Sequence, residues 1–129
     1  MFRPIPDEVR RFILTSVPSV PHLEAMLLLR GEPGTTWDAP MLARRLYVTQ
    51  ARAAELMQQL VEASFVAACP PGWCWQPSAE ASQLVNELAA HYSENLLGVT
   101  ELIHSREDRR AHQFADAFRL RKDGPGKEE

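Results

Sequence analysis

Between Asp38 and Ser64 the chain twice sets a capping residue in front of an apolar run of helical period, with only Tyr47 and Val48 separating the two units. Asp38 precedes APMLARRL, where its carboxylate can accept from the open N–H groups of a first turn and where Leu42 and Leu46 fall on the buried side. Thr49 plays the same part for QARAAELMQQLVEASF, in which Ala53, Leu56, Met57, Leu60 and Ser64 share one face. Gln50, Arg52, Glu55, Gln59 and Glu62 are left mainly on the other side. The expected unit is a helix, a tight turn and a second helix with a polar outer face.

What flanks this unit is also helical at first. Asp7 to Ser16 has acids in its first turn and apolar residues at Val9, Phe12 and Ile13, the pattern of a short amphipathic helix. Pro18 and Pro21 stop it, and a second helix is expected from Pro21 to Arg30, with Gly31 as terminator and a Leu and Met content that implies burial. Thr35 to Trp37 is β-prone and very short. After the capped pair, Phe65 to Cys69 and Trp73 to Gln76 read as two short strands, with Pro71 and Gly72 at the centre of the turn.

The order helix, short strand, helix, tight turn, helix, hairpin, carried by LARRLYVTQARAAELMQQLVEASFV and the hairpin after it, resembles the winged helix-turn-helix domain of bacterial transcription regulators. The resemblance covers Val20 to Pro77. It implies that the helix after Thr49 enters the DNA major groove, where Gln reads adenine and Arg reads guanine through paired hydrogen bonds. On that basis Thr49, Gln50, Arg52 and, one turn on, Gln59 are the expected readers, Arg44 and Arg45 touch phosphates, and Pro71, Gly72 and Trp73 form the wing tip. The wing departs from the family pattern, because it carries no Lys or Arg.

From Ser78 to Ser105 one long helix is expected, with Val85, Leu88, Tyr92, Asn95, Val99 and Leu102 at alternating intervals of three and four. At about 26 residues it would run nearly 40 Å. That exceeds what a winged domain covers, so Val85, Leu88, Tyr92, Val99 and Leu102 are read as a dimerisation seam. Regulators of the PadR and MarR types, which this layout resembles, dimerise through terminal helices. The division is then an N-terminal helical arm (1–19), the winged domain (20–77), the dimerisation helix (78–105) and a last segment (106–129). That segment carries an apolar set around Phe114 and Phe118, a possible protein contact, and ends in a tail expected to be disordered.

Charge is segregated along the chain. Residues 20–77 hold four basic and five acidic side chains, residues 78–105 hold four Glu and no Lys or Arg, and the basic cluster RLRK at Arg119 to Lys122 lies in the last segment. The net charge of −3 argues against nucleic-acid binding through bulk positive charge. Met26 to Leu29, like every other plain apolar run in the sequence, is far too short for a membrane span, and MFRPIPDEVRR lacks the pattern of a secretory signal, so a cytoplasmic protein is expected.

A cytoplasmic chain disfavours a stable disulfide between Cys69 and Cys74. An even-length turn would set the two opposite each other, whereas a three-residue loop would put Trp73 opposite Cys69, and structural thiols are favoured over a redox or metal role. Two thiols without a second ligand pair make no zinc site. His22, His91, His104 and His112 are scattered, and the Glu residues near His91 and His104 read as ordinary solvated helix faces. No catalytic triad, phosphate-cradling Gly loop or carboxylate pair stands out, so neither an enzyme nor a cofactor is expected. Two functions remain: a homodimeric, sequence-specific DNA-binding regulator, or a winged-helix adaptor that binds another protein through Trp73, Trp75 and the Phe114/Phe118 segment. They part on charge, according to whether Arg44, Arg45 and Arg52 form a continuous positive stripe or are neutralised by Glu55 and Glu62.

Overall fold

The computed structural model describes residues 4–105. The expectations for Phe114, Phe118 and the tail lie outside them. The chain is mainly helical with a small two-stranded antiparallel sheet: α1 (Asp7–Ser16), α2 (Val20–Gly31), α3 (Ala39–Leu46), α4 (Gln50–Glu62), β1 (Val66–Cys69), β2 (Gly72–Trp75) and α5 (Ala79–Glu94), followed by helical residues 96–105. Among the described residues no single helix is long and apolar enough to cross a membrane.

Side-chain caps set most of these boundaries. The Ser19 hydroxyl accepts from the His22 N–H at 3.2 Å, Asp38 from Met41 N–H at 2.9 Å, Thr49 from Arg52 N–H at 3.0 Å and Ser78 from Ala81 N–H at 3.1 Å. Each satisfies a donor that the helix itself leaves open, worth about 1 kcal/mol apiece. Tyr47 closes α3 in the left-handed conformation (φ 60°), which turns the chain sharply enough for α4 to start at Gln50, after only Val48 and Thr49. Ser64 does the same after α4 (φ 65°). The helix therefore stops at Glu62, and Ser64 lies exposed in the turn and not on the buried face expected for it.

One core holds these elements together. Ala53, Leu56, Met57 and Leu60 of α4 join Leu42 of α3, Leu23, Met26 and Leu29 of α2, and Val9 and Ile13 of α1. Phe65 extends this core to the hairpin, meeting Phe12 edge-on at 6.1 Å and stacking on Trp75 at 5.7 Å. The expected strand around Thr35 to Trp37 is a single bridge, in which Trp37 and Trp73 exchange two backbone hydrogen bonds of 2.7 and 2.8 Å.

The turn of the hairpin differs from its expected form. Cys69 pairs with Gly72, so Pro70 and Pro71, joined by a cis peptide bond, occupy the centre, and Gly72 begins the second strand. Gly72 is needed there for a reason of space. A Cβ at this position would overlap the carbonyl oxygen of Trp37. Gly72→Ala should therefore destabilise the chain by about 1–3 kcal/mol, the usual range for overpacking, because the backbone can yield only by breaking the Trp37–Trp73 bridge. Urea unfolding checks this, and an unchanged midpoint would mean that the bridge gives way freely.

The long helix of the C-terminal half is interrupted. α5 ends at Glu94, and Asn95 caps the next helical stretch, its side-chain oxygen accepting from Gly98 N–H at 3.0 Å and its carbonyl from Val99 N–H at 3.1 Å. α5 packs on α1 and α2, and Val85, Leu88, Val99 and Ile103 are fully buried in the chain's own core. Three of the five residues read as a dimerisation seam, Val85, Leu88 and Val99, are thus already covered by the same chain. Tyr92 and Leu102 are half-buried.

Candidate nucleic-acid interface

α4 is seated by Ala53, Leu56, Met57 and Leu60, and this fixes which of its side chains face outward. Gln50, Ala51, Ala54, Glu55, Gln58 and Glu62 are exposed and form one open stripe along the helix. Its first turn holds no acidic residue, so the partial positive charge of the helix N-terminus is unopposed there until Glu55. Tyr47, in the turn just before Thr49, is 94% exposed.

The residues expected to read bases are brought to different places. Thr49 is committed to capping through its hydroxyl, and Gln50 is free on the surface. Arg52 is half-buried, donating to Glu55 Oε1 at 3.0 Å and to Ser19 Oγ at 3.4 Å. Gln59 is also half-buried, with its Oε1 enclosed and unpartnered, so it leans toward the core side and leaves the outward position one turn on to Gln58. Ala51, Ala54, Gln58 and Tyr47 are the site positions that sequence reasoning passed over. The heptad-like spacing of residues 51, 54, 58 and 62 was a signal for the first three.

The two arginines on α3 separate as well. Arg44 is exposed and makes no ion pair among the described residues. Arg45 is held by Glu32 in a two-pronged pair of 2.5 and 3.4 Å, and its guanidinium lies 5.4 Å from the centre of the Trp37 ring. The expected phosphate contact from Arg45 is therefore replaced by a structural one, tying α3 to the turn after α2. The hydrogen bond from Arg45 holds the Glu32 carboxyl below its usual range. Because the folded value is lowered, the contribution of this pair is present at neutral pH and is lost as the pH falls through the folded value. The continuous positive stripe through Arg44, Arg45 and Arg52 is not formed: Glu32 and Glu55 pair with two of its three members.

The residues expected to form a wing tip lie at the turn of the hairpin and in β2. Pro70 and Pro71 are exposed, Gly72 and Trp73 half-buried, and the tip is uncharged. Cys69 and Cys74 are joined by a disulfide, contrary to the expectation of free structural thiols. Their diagonal register explains why neither expected pairing applies: Cys74 faces Ala67, and Cys69 faces Gly72. No family model matches this sequence, and no curated protein or solved structure matches it.

The remaining titratable groups offer little chemistry. Among the described residues no group of three or more His, Cys, Asp or Glu is gathered as a metal ion would require. His22 and His91 are buried, at 1% and 5% exposure, so His91 does not lie on the solvated face expected of it. On α5, burial pushes the Tyr92 phenol upward, and the Glu24 carboxylate adds to the effect.

Proposed function

We propose that residues 20–77 form a winged helix-turn-helix module whose α4 lies in the major groove of DNA, in a regulator that acts as a homodimer. The observation that carries this reading is the open stripe of α4, a helix fixed by its buried side to the core while Gln50, Ala51, Ala54 and Gln58 face solvent. Two alanines keep the helix slim enough to approach base edges, Gln50 and Gln58 are suited to adenine, and Arg52 to guanine once it leaves Glu55. Arg44, the Tyr47 hydroxyl and the N-terminal turn of α4 supply backbone contacts. The hairpin bridged to Trp37 is the wing. Since Val85, Leu88 and Val99 are occupied, a second copy would meet Tyr92, Leu102 and the exposed Leu96 and Leu97, which are 57% and 67% accessible.

The rival, a winged module that binds protein, is favoured by one observation: Arg45 and Arg52 both pair with carboxylates of their own chain. An exposed ion pair such as Arg52–Glu55 adds little to stability, so it is no obstacle to Arg52 turning toward a duplex. Glu55→Gln separates the two readings. A DNA reader should then bind duplex roughly five- to tenfold tighter at low salt and with an altered salt dependence, because the Glu55 carboxylate no longer repels the phosphates and Arg52 is released to its guanine. Fluorescence anisotropy at several salt concentrations measures both. Affinity and slope identical to those of the unsubstituted chain would favour the protein-binding module.

A further inference from the structure

Cys69 and Cys74 lie on one face of the β1–β2 hairpin, together with Ala67 and Gly72, with their Cα atoms 6.0 Å apart. Both residues are half-buried and neither is enclosed in the interior. The Thr36 hydroxyl stands 3.2 Å from Cys69 Sγ and 3.7 Å from Cys74 Sγ. It is held there by the backbone bridge that the next residue, Trp37, makes to Trp73. Neither sulfur belongs to the hydrophobic core, and the strands they join are also held by their own ladder. Opening the bond therefore leaves the fold in place, as a couple that opens and closes repeatedly requires.

We propose that Cys69 and Cys74 form a reversible thiol–disulfide exchange site for low-molecular-weight thiols and their disulfides, with Thr36 as the positioning residue that stabilises the Cys69 thiolate. In the reducing direction the thiolate of a small thiol attacks Cys74 Sγ. A mixed disulfide forms there, and the Cys69–Cys74 bond breaks with its electron pair leaving on Cys69 Sγ, toward which the nearer Thr36 hydroxyl donates. A second small thiolate then attacks the small-molecule sulfur of the mixed disulfide, releasing Cys74 as a thiolate and a small-molecule disulfide. Two electrons pass from the two small thiols to the protein, and their two protons end on Cys69 and Cys74. Oxidation is the same sequence reversed. The site stands apart from the DNA reading, because each step is defined without a duplex.

The test uses the full chain equilibrated with mixtures of reduced and oxidised glutathione, its free thiols trapped by alkylation and counted by mass. Cys69 and Cys74 should become free together, in one two-electron transition that is the same when approached from either side. A pair bridged at every glutathione ratio is a permanent staple and overturns the proposal, as does a chain that accumulates glutathione adducts and never recloses. The role of Thr36 is read from the rate of reduction by dithiothreitol. Thr36→Val should slow it severalfold and, in the reduced chain, move upward the pH profile with which Cys69 is alkylated, while Thr36→Ser restores both, since a hydroxyl and not mere packing is what the leaving thiolate needs. Equal rates and profiles in all three chains would remove Thr36 from the mechanism.

Discussion

Leu88→Asp should unfold the chain, with a loss of about 4 kcal/mol or more, where a residue lying in a subunit seam would lose only self-association. Leu88 is fully buried between α5 and the helices it packs on. Removing a buried leucine costs about 2–5 kcal/mol, and a carboxylate left in its place adds the desolvation of an unpaired polar group. Native domains have only about 5–15 kcal/mol in hand, so a large part of the total is gone. Leu97→Asp, on the exposed side of the following helix and in the surface proposed for a second copy, should keep the chain folded and lose only self-association. Circular dichroism during urea unfolding separates the two variants, and a folded, monomeric Leu88→Asp chain would put Leu88 back in a seam.

Trp37→Ala is the second large effect. Trp37 is fully buried and lies at the junction of β2 and α3: its backbone bridges β2, its carbonyl fills the space left by Gly72 of that strand, and its ring lies near the guanidinium of Arg45 on α3. Truncating a buried Trp costs about 3–5 kcal/mol. Because the backbone hydrogen bonds of residue 37 survive the substitution, the expected loss is of packing. The double change Trp37→Ala with Arg45→Ala should accordingly cost less than the sum of the two, since both remove one contact. Strict additivity would show that the guanidinium gains nothing from the ring.

The order of elements from α1 to the hairpin was legible because each signal is local. Of the capping residues Asp38 and Thr49 could be picked out by position, though Ser19 and Ser78 were not, and apolar spacing placed the buried faces of α1, α3 and α4. The interruption at Asn95 was not legible from spacing, because Asn95 occupies a seam position in the alternating three-and-four pattern, and a period alone does not distinguish a cap from a buried face. Its residue type was the better guide, since Asn suits an N-cap and not a helix interior. The register of the hairpin escaped because Cys69, Pro70, Pro71 and Gly72 permit two turns, and the choice depends on the distant Trp37 backbone. At the candidate interface, Arg52 with Glu55 was within reach of sequence reasoning as neighbours on a helix. The pairing of Arg45 with Glu32 spans thirteen residues and a turn, so it becomes visible only once α2 and α3 are packed.

Base preference by the open stripe of α4 is the claim most exposed to a single measurement, selection of bound sequences from a pool of random duplex DNA at two salt concentrations. A shared motif should be enriched, arranged as an inverted repeat, and should persist at the higher salt, because base contacts survive where the phosphate contribution is screened. A pool that stays random at both concentrations would contradict the account and leave α4 as a surface for another protein.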